Sequence, residues 1–183
     1  MNSPSIQATL QSQGDPDLVL GLDPGSAIMG FGLVRVQPNG ELQMVEYGAI
    51  TTPAHTPLSQ RLLQIYQELT QLLGRHQPGQ VAIEELFFNK NITTAIAVGQ
   101  ARGVALLVAA QRKLDFFEYT PLQVKQALVG YGRATKDQVQ QMVRVTLDLD
   151  EIPQPDDAAD ALAIAVCHIR SRLYLQRLAD NEQ

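Results

Sequence analysis

Four acids in this sequence stand where carboxylate chemistry can be assembled. Asp23 closes a short apolar run, residues 18–22, and precedes the turn pair Pro24 and Gly25. Glu84 and Glu85 close a second run, residues 81–83. Asp157 and Asp160 stand three apart in Asp157-Ala158-Ala159-Asp160-Ala161-Leu162-Ala163. On a helix that spacing leaves the two about 60° apart around the axis, on one face. An unpaired acid inside so apolar a helix is costly, so Asp160 calls for a partner. Converging carboxylates repel one another unless a cation lies between them. Oxygen donors without thiolates or a histidine cluster select Mg²⁺ or Mn²⁺ over zinc. Two such ions about 3.5–4 Å apart form a clamp for in-line phosphoryl displacement.

Each acid also has a simpler reading. Asp23 before Pro-Gly is equally a turn residue. Asp156 reads as an N-cap rather than a ligand. Asp157 suits the positive end of a helix dipole. Glu84 and Glu85 are adjacent, so in a strand they face opposite ways, and periodicity does not choose between them.

The elements that must position these acids follow from local pattern. Residues 18–22 read as a buried strand, 30–36 as a second, and 42–51 as a third, with Asn39-Gly40 as a hairpin turn. Thr56 and Pro57 open a helix with an apolar stripe at Leu58, Leu62, Ile65, Leu69 and Leu72. Pro78-Gly79 breaks the chain, and residues 81–83 form another strand. Residues 94–113 read as a long Ala- and Gly-rich helix. Gly99 and Gly103 leave it a smooth face for a close neighbour, either the sheet or a second copy. Residues 116–119 form a fifth strand and 121–129 a short helix. A capping box at Thr135 and Gln138 opens the next helix, and Asp156 the last. Hairpin-linked strands followed by alternating units predict an α/β fold, a mixed five-stranded sheet with helices on both faces.

The 183 residues suit one folded domain. Residues 1–17 read as a disordered tail, 18–170 as the domain, and 171–183 as a C-terminal tail. One cysteine, Cys167, and 3 histidines exclude an internal disulfide and a Cys/His zinc cluster. A reducing, cytoplasmic setting follows from that usage. The N-terminus lacks the pattern of a secretory signal, and no uninterrupted apolar run has membrane-span length. The net charge of −5 argues against a polyanionic partner if taken alone.

The motifs together resemble the RuvC family of crossover junction endonucleases. Gly21-Leu22-Asp23-Pro24-Gly25-Ser26 with Gly30-Phe31-Gly32 is similar to its opening. Ala82-Ile83-Glu84-Glu85-Leu86-Phe87, with Asn89-Lys90-Asn91, matches its second acidic segment. Gly99-Gln100-Ala101-Arg102-Gly103, then Gln123-Val124-Lys125-Gln126 with Val129-Gly130, and the Asp157 to Ala163 segment complete it. The similarity spans residues 18–168. Five segments in order are specific where Gly-Leu-Asp-Pro-Gly alone is not. Glu85 departs from the family's usual Gln, some relatives carry His where Asp157 stands, and residues 1–17 have no counterpart.

The resemblance implies an RNase H-like fold and a homodimer that resolves Holliday junctions. The implied products are paired symmetric nicks in four-way DNA with 5′-phosphate and 3′-hydroxyl ends. It places Asp23, Glu84, Asp157 and Asp160 at the family's catalytic positions, holding two Mg²⁺ per subunit, with Mn²⁺ able to substitute. Lys125 and Lys136 match positions linked to the scissile region. Phe87 is placed to stack on an unpaired base. Lys125, Arg133, Lys136 and Arg144 make a basic strip toward DNA, which answers the acidic total. Arg170, Arg172 and Arg177 either extend that strip or complement a helix C-terminus. A RuvA–RuvB branch-migration partner is implied as well, and no membrane partner. Two rivals remain: a non-catalytic junction-binding protein, and an actin/sugar-kinase-type phosphotransferase. The latter needs a second lobe and phosphate loop that this chain is too short to hold.

Overall fold

The structure, a computed structural model, describes residues 14–85 and 92–181. Its elements are β1 (Asp15–Asp23), β2 (Ile28–Val36), β3 (Leu42–Thr51), α1 (Leu58–His76), β4 (Pro78–Glu84), α2 (Ile92–Gln111), β5 (Asp115–Tyr119), α3 (Pro121–Val129), α4 (Lys136–Thr146) and α5 (Asp156–Asn181). The sheet order is β3-β2-β1-β4-β5, with β1 to β3 antiparallel and β4 and β5 parallel to β1. The expected mixed five-stranded sheet is present.

Strand alternation divides the core in two. Leu18, Leu20 and Leu22 of β1, Met29 and Leu33 of β2, and Val81 and Ile83 of β4 face α1 and α2. Val19, Val34 and Ala82 face the other way, toward α3, α4 and α5. The α5 segment from Ala158 to Ile169 is buried at every position but Asp160. Its small side chains let it lie flat on the sheet. The glycines of β1 and β2 complete that fit. A Cβ on Gly21 would stand 2.1 Å from the Ala161 carbonyl oxygen, and one on Gly32 2.7 Å from the Leu162 side chain.

Several boundaries differ from expectation. β1 starts at Asp15, three residues early, because Asp15 pairs with Pro78 and its carboxylate bonds Arg35. Pro78 and Gly79 belong to β4 instead of breaking the chain ahead of it. Thr56 does not cap α1; Pro57 takes that place without a side-chain cap bond. Residues 171–181 continue α5 as helix and are not a tail. A window of α2, Thr94–Gln111, is by length and composition apolar enough to cross a membrane, although Gln100 and Arg102 interrupt it. Only one side of that helix is covered. Ala101, Ala105, Val108 and Ala109 are buried, whereas Ile96 is 55% and Leu107 52% exposed. Gly103 lies on the open side with nothing within 4 Å of where a Cβ would be, so it does not pack on the sheet.

Candidate active site

The strand register decides which glutamate joins Asp23. Leu22 pairs with Ile83 and both enter the α1/α2 core, so Asp23 and Glu84, next along each strand, face α5. Glu85 follows the strand end and is exposed, its amide bonded to the Tyr119 carbonyl. Asp23 pairs with Gly30 on its other side. A Cβ on Gly30 would stand 1.9 Å from the Asp157 carbonyl oxygen. The missing side chain thus lets the first turn of α5 settle beside Asp23. This brings Asp157 and Asp160 to the strand ends.

Electrostatics report the convergence. Burial first, then the charges of Glu84, Asp160 and Asp157, push the Asp23 carboxyl up to about 7, against the pull of Lys136. Burial and Asp160 raise Glu84. Burial raises Asp160, which Lys136 draws back. Nζ of Lys136 lies 3.1 Å from Oδ2 of Asp160 and 3.1 Å from Oδ2 of Asp156. Burial works against this ammonium, but its bonds to the two aspartates hold its pKa above the ordinary lysine value. Among the described residues, no three His, Cys, Asp or Glu side chains close on one point as metal ligands do. The positive charge at Asp160 comes from the Lys136 ammonium. An all-oxygen, mutually repelling donor set of this kind fits a hard divalent cation.

A recess of about 200 Å³ opens beside the acids, lined by Glu84, Asp160, Lys125, Lys136, Pro121 and Val139 among others. Three helices begin around it. Pro121 is the first residue of α3, behind a Thr120–Gln123 capping box; Lys136 is the first of α4, behind the expected Thr135–Gln138 box. Asp156 begins α5. Helix N-termini carry partial positive charge. Together with Lys125 and Lys136 they give an acidic chain a face suited to phosphate.

The remaining expectations divide. Lys125 and Lys136 line the recess, and Arg133 is exposed in the α3–α4 turn. Phe87 lies outside the described residues. Arg144 bonds Gln141 and the Leu149 carbonyl. Arg170 donates to the carbonyls of Ala127 and Leu128 and to Thr146, binding the ends of α3 and α4. Arg172 donates to the Pro16 carbonyl and Gln80. These last two hold helices and strands together. Sequence reasoning missed the Lys136–Asp156 pair, which nothing in local spacing announces. It also missed the Thr120 cap, although Thr-x-x-Gln was as legible there as at Thr135.

Known proteins resemble this chain in sequence and in fold. The family model described as "Crossover junction endodeoxyribonuclease RuvC" matches residues 19–168. A protein of that description from Desulfitobacterium hafniense is 60% identical over 161 residues, covering 88% of this chain and 97% of its own length. One from Chloroflexus aurantiacus is 56% identical over 158 residues, 86% of this chain and 96% of its own. Among solved structures, Thermus thermophilus RuvC superimposes with TM-score 0.79 at 38% identity, over 85% of this chain and 96% of that one. The same protein in complex with a Holliday junction substrate gives 0.78 at 35% identity, with the same coverage.

Proposed function

The chain belongs to the RuvC family of crossover junction endodeoxyribonucleases, and on that premise we propose that Asp23, Glu84, Asp157 and Asp160 are its catalytic carboxylates. It has the RNase H-like fold and is a Holliday-junction resolvase, a nuclease acting on four-way DNA. The observation that carries the residue assignment is that the Asp23 carboxyl, raised to about 7, owes that rise first to burial and then to the charges of Glu84, Asp160 and Asp157.

The family is metal-dependent. We assign Mg²⁺, two per subunit and replaceable by Mn²⁺, to the four carboxylates. Held by those four carboxylates, such ions would supply activation of water and stabilisation of the leaving oxygen. The chain's own groups do the positioning. The Asp23–Glu84 strand ends and the first turn of α5 fix the donors on rigid elements, which limits reorganisation during the reaction. Lys125 and Lys136, with the surrounding helix N-termini, hold the phosphate over the acids, and Arg133 and Phe87 are assigned to DNA binding. The products are paired symmetric nicks with 5′-phosphate and 3′-hydroxyl ends.

The open face of α2, with Ile96, Gly103 and Leu107, is assigned to contact between two copies. A two-fold homodimer suits a junction of like symmetry. The assigned setting is the cytoplasm, and the assigned partner a RuvA–RuvB branch-migration complex. The test is incubation with a synthetic four-way junction, with and without Mg²⁺. Symmetric nicks only with Mg²⁺ are expected; binding without nicking would leave a non-catalytic junction binder.

A further inference from the structure

Asp156 stands outside the four acids, yet it shares the Lys136 ammonium with one of them. Nζ lies 3.1 Å from the carboxylates of both Asp156 and Asp160. The two partners have different demands on them. Asp160 lines the recess with Glu84, is half-buried, and is assigned to the cation. Asp156 is 54% exposed at its side chain and does not line that recess. A cation held by Asp160 competes with the ammonium, which lies on Oδ2, for the charge of that carboxylate. When the cation draws Asp160 away, Asp156 is the other carboxylate that holds Lys136 among the described residues.

The backbone is built for this. Lys136 and Asp156 are the first residues of α4 and α5. The capping box at Thr135 and Gln138 fixes the first of those helix starts. Packing of Val139 and Val143 against the α5 side of the sheet fixes α4 relative to α5. The two side chains thus reach toward each other from set points, and ordering them takes less entropy than a free surface pair requires.

We propose that Asp156 is the positioning residue for Lys136: it retains the ammonium at the mouth of the recess once Asp160 is engaged by a divalent cation, so that Lys136 meets the phosphate from a fixed place. This rests on the reading of the site as a metal-dependent junction nuclease. Without Asp156, cation loading frees Lys136 into solvent, and the phosphate contact must be made from a disordered side chain.

The experiment uses the full chain and Asp156→Asn, Asp156→Glu, Lys136→Met and the Asp156→Asn/Lys136→Met pair. The Lys136 ammonium is followed by NMR as Mg²⁺ is added, and single-turnover cleavage of a four-way junction is measured at saturating Mg²⁺. In the unsubstituted chain the ammonium signal should persist with Mg²⁺; in Asp156→Asn it should vanish on Mg²⁺ addition. Cleavage in Asp156→Asn should slow about two- to fivefold with junction affinity unchanged, and Asp156→Glu should recover most of it. In the Lys136→Met background, Asp156→Asn should change the rate no further. A signal in Asp156→Asn that survives Mg²⁺, or a rate loss of the same size without Lys136, overturns the proposal. If the unsubstituted chain leaves the junction intact, the nuclease reading fails while the NMR arm still decides the role of Asp156.

Discussion

The carbonyl oxygen of Asp157 rests over Gly30, 1.9 Å from where a Cβ would stand, and Gly30 is the strand partner of Asp23. One missing methyl group thus fixes the distance between a strand-borne acid and a helix-borne one. Gly30→Ala should lower stability by about 1–3 kcal/mol through overpacking and should lower cleavage further than junction binding. Thermal unfolding beside a Mg²⁺-dependent nicking assay checks both. Wild-type cutting by this variant would mean that α5 does not need its close seat.

Asp23 makes the metal-free protein sensitive to pH. Its folded pKa of about 7 lies above the ordinary 3.8, so the folded state binds a proton more tightly than the unfolded one. That stability is fully present below about pH 4 and lost as pH rises through 7. In EDTA, the melting temperature of Asp23→Asn relative to the parent should therefore rise between pH 5 and pH 8. The same variant should bind a junction and not cut it. Cleavage at the parental rate would remove Asp23 from the catalytic set.

His168 gives the opposite slope. It is buried, bonded to the Tyr119 hydroxyl and to Gln80, and packed on the Phe117 ring. Burial, then the charge of Arg172, lowers its pKa to about 4 from 6.5. The neutral ring is favoured in the fold, so stability present above pH 6.5 is lost as pH falls toward 4, on the order of 2 kcal/mol. Urea unfolding at pH 7 and pH 4.5 should show this loss, and His168→Asn should reduce the difference. An unchanged pH dependence in that variant would exclude His168 as its source.

Two classes of arginine separate by salt. Arg170→Ala strips donors from Ala127, Leu128 and Thr146. It should destabilise the fold by about 1–3 kcal/mol without altering the salt slope of junction binding. Arg133→Ala should leave stability alone and reduce that slope by about one. Fluorescence titrations across a salt series distinguish them, and a reversed pattern would exchange the roles.

Association is tested at α2. Leu107, 52% exposed on the open face, becomes Glu. Sedimentation should show a dimer in the parent and a monomer in Leu107→Glu, with paired nicking reduced to single nicks. A dimer that survives places the contact elsewhere.

Much of the fold was legible because its signals are local. Alternation and the Asn39-Gly40 turn mark the hairpin strands, and β3 has the bounds that the pattern predicts. Asp160 stood out in an alanine-rich helix that has no use for an unpaired acid, whereas Asp157 was equally readable as a helix-dipole residue. Other features needed three dimensions. Asp15 looks like part of a polar tail until Pro78 and Arg35 are beside it. Glu84 and Glu85 are equivalent in sequence, and the pairing of Leu22 with Ile83 separates them. Arg170 and Arg172 look like any basic helix end, and their partners lie over 20 residues away. The role of Gly30 as a seat for Asp157 is visible only once β2 and α5 meet.

α5 carries the acids in its first turn and the fastenings of His168, Arg170 and Arg172 more than two turns further on. Asp157 and Arg172 are about 22 Å apart along that rod, yet both belong to one stiff body. Any lesion that loosens the distant anchorage tilts the two aspartates at the other end. A genetic screen for inactive alleles will therefore recover arginines bonded within the fold, and a map of such alleles should trace a line through the protein instead of a ring around its acids.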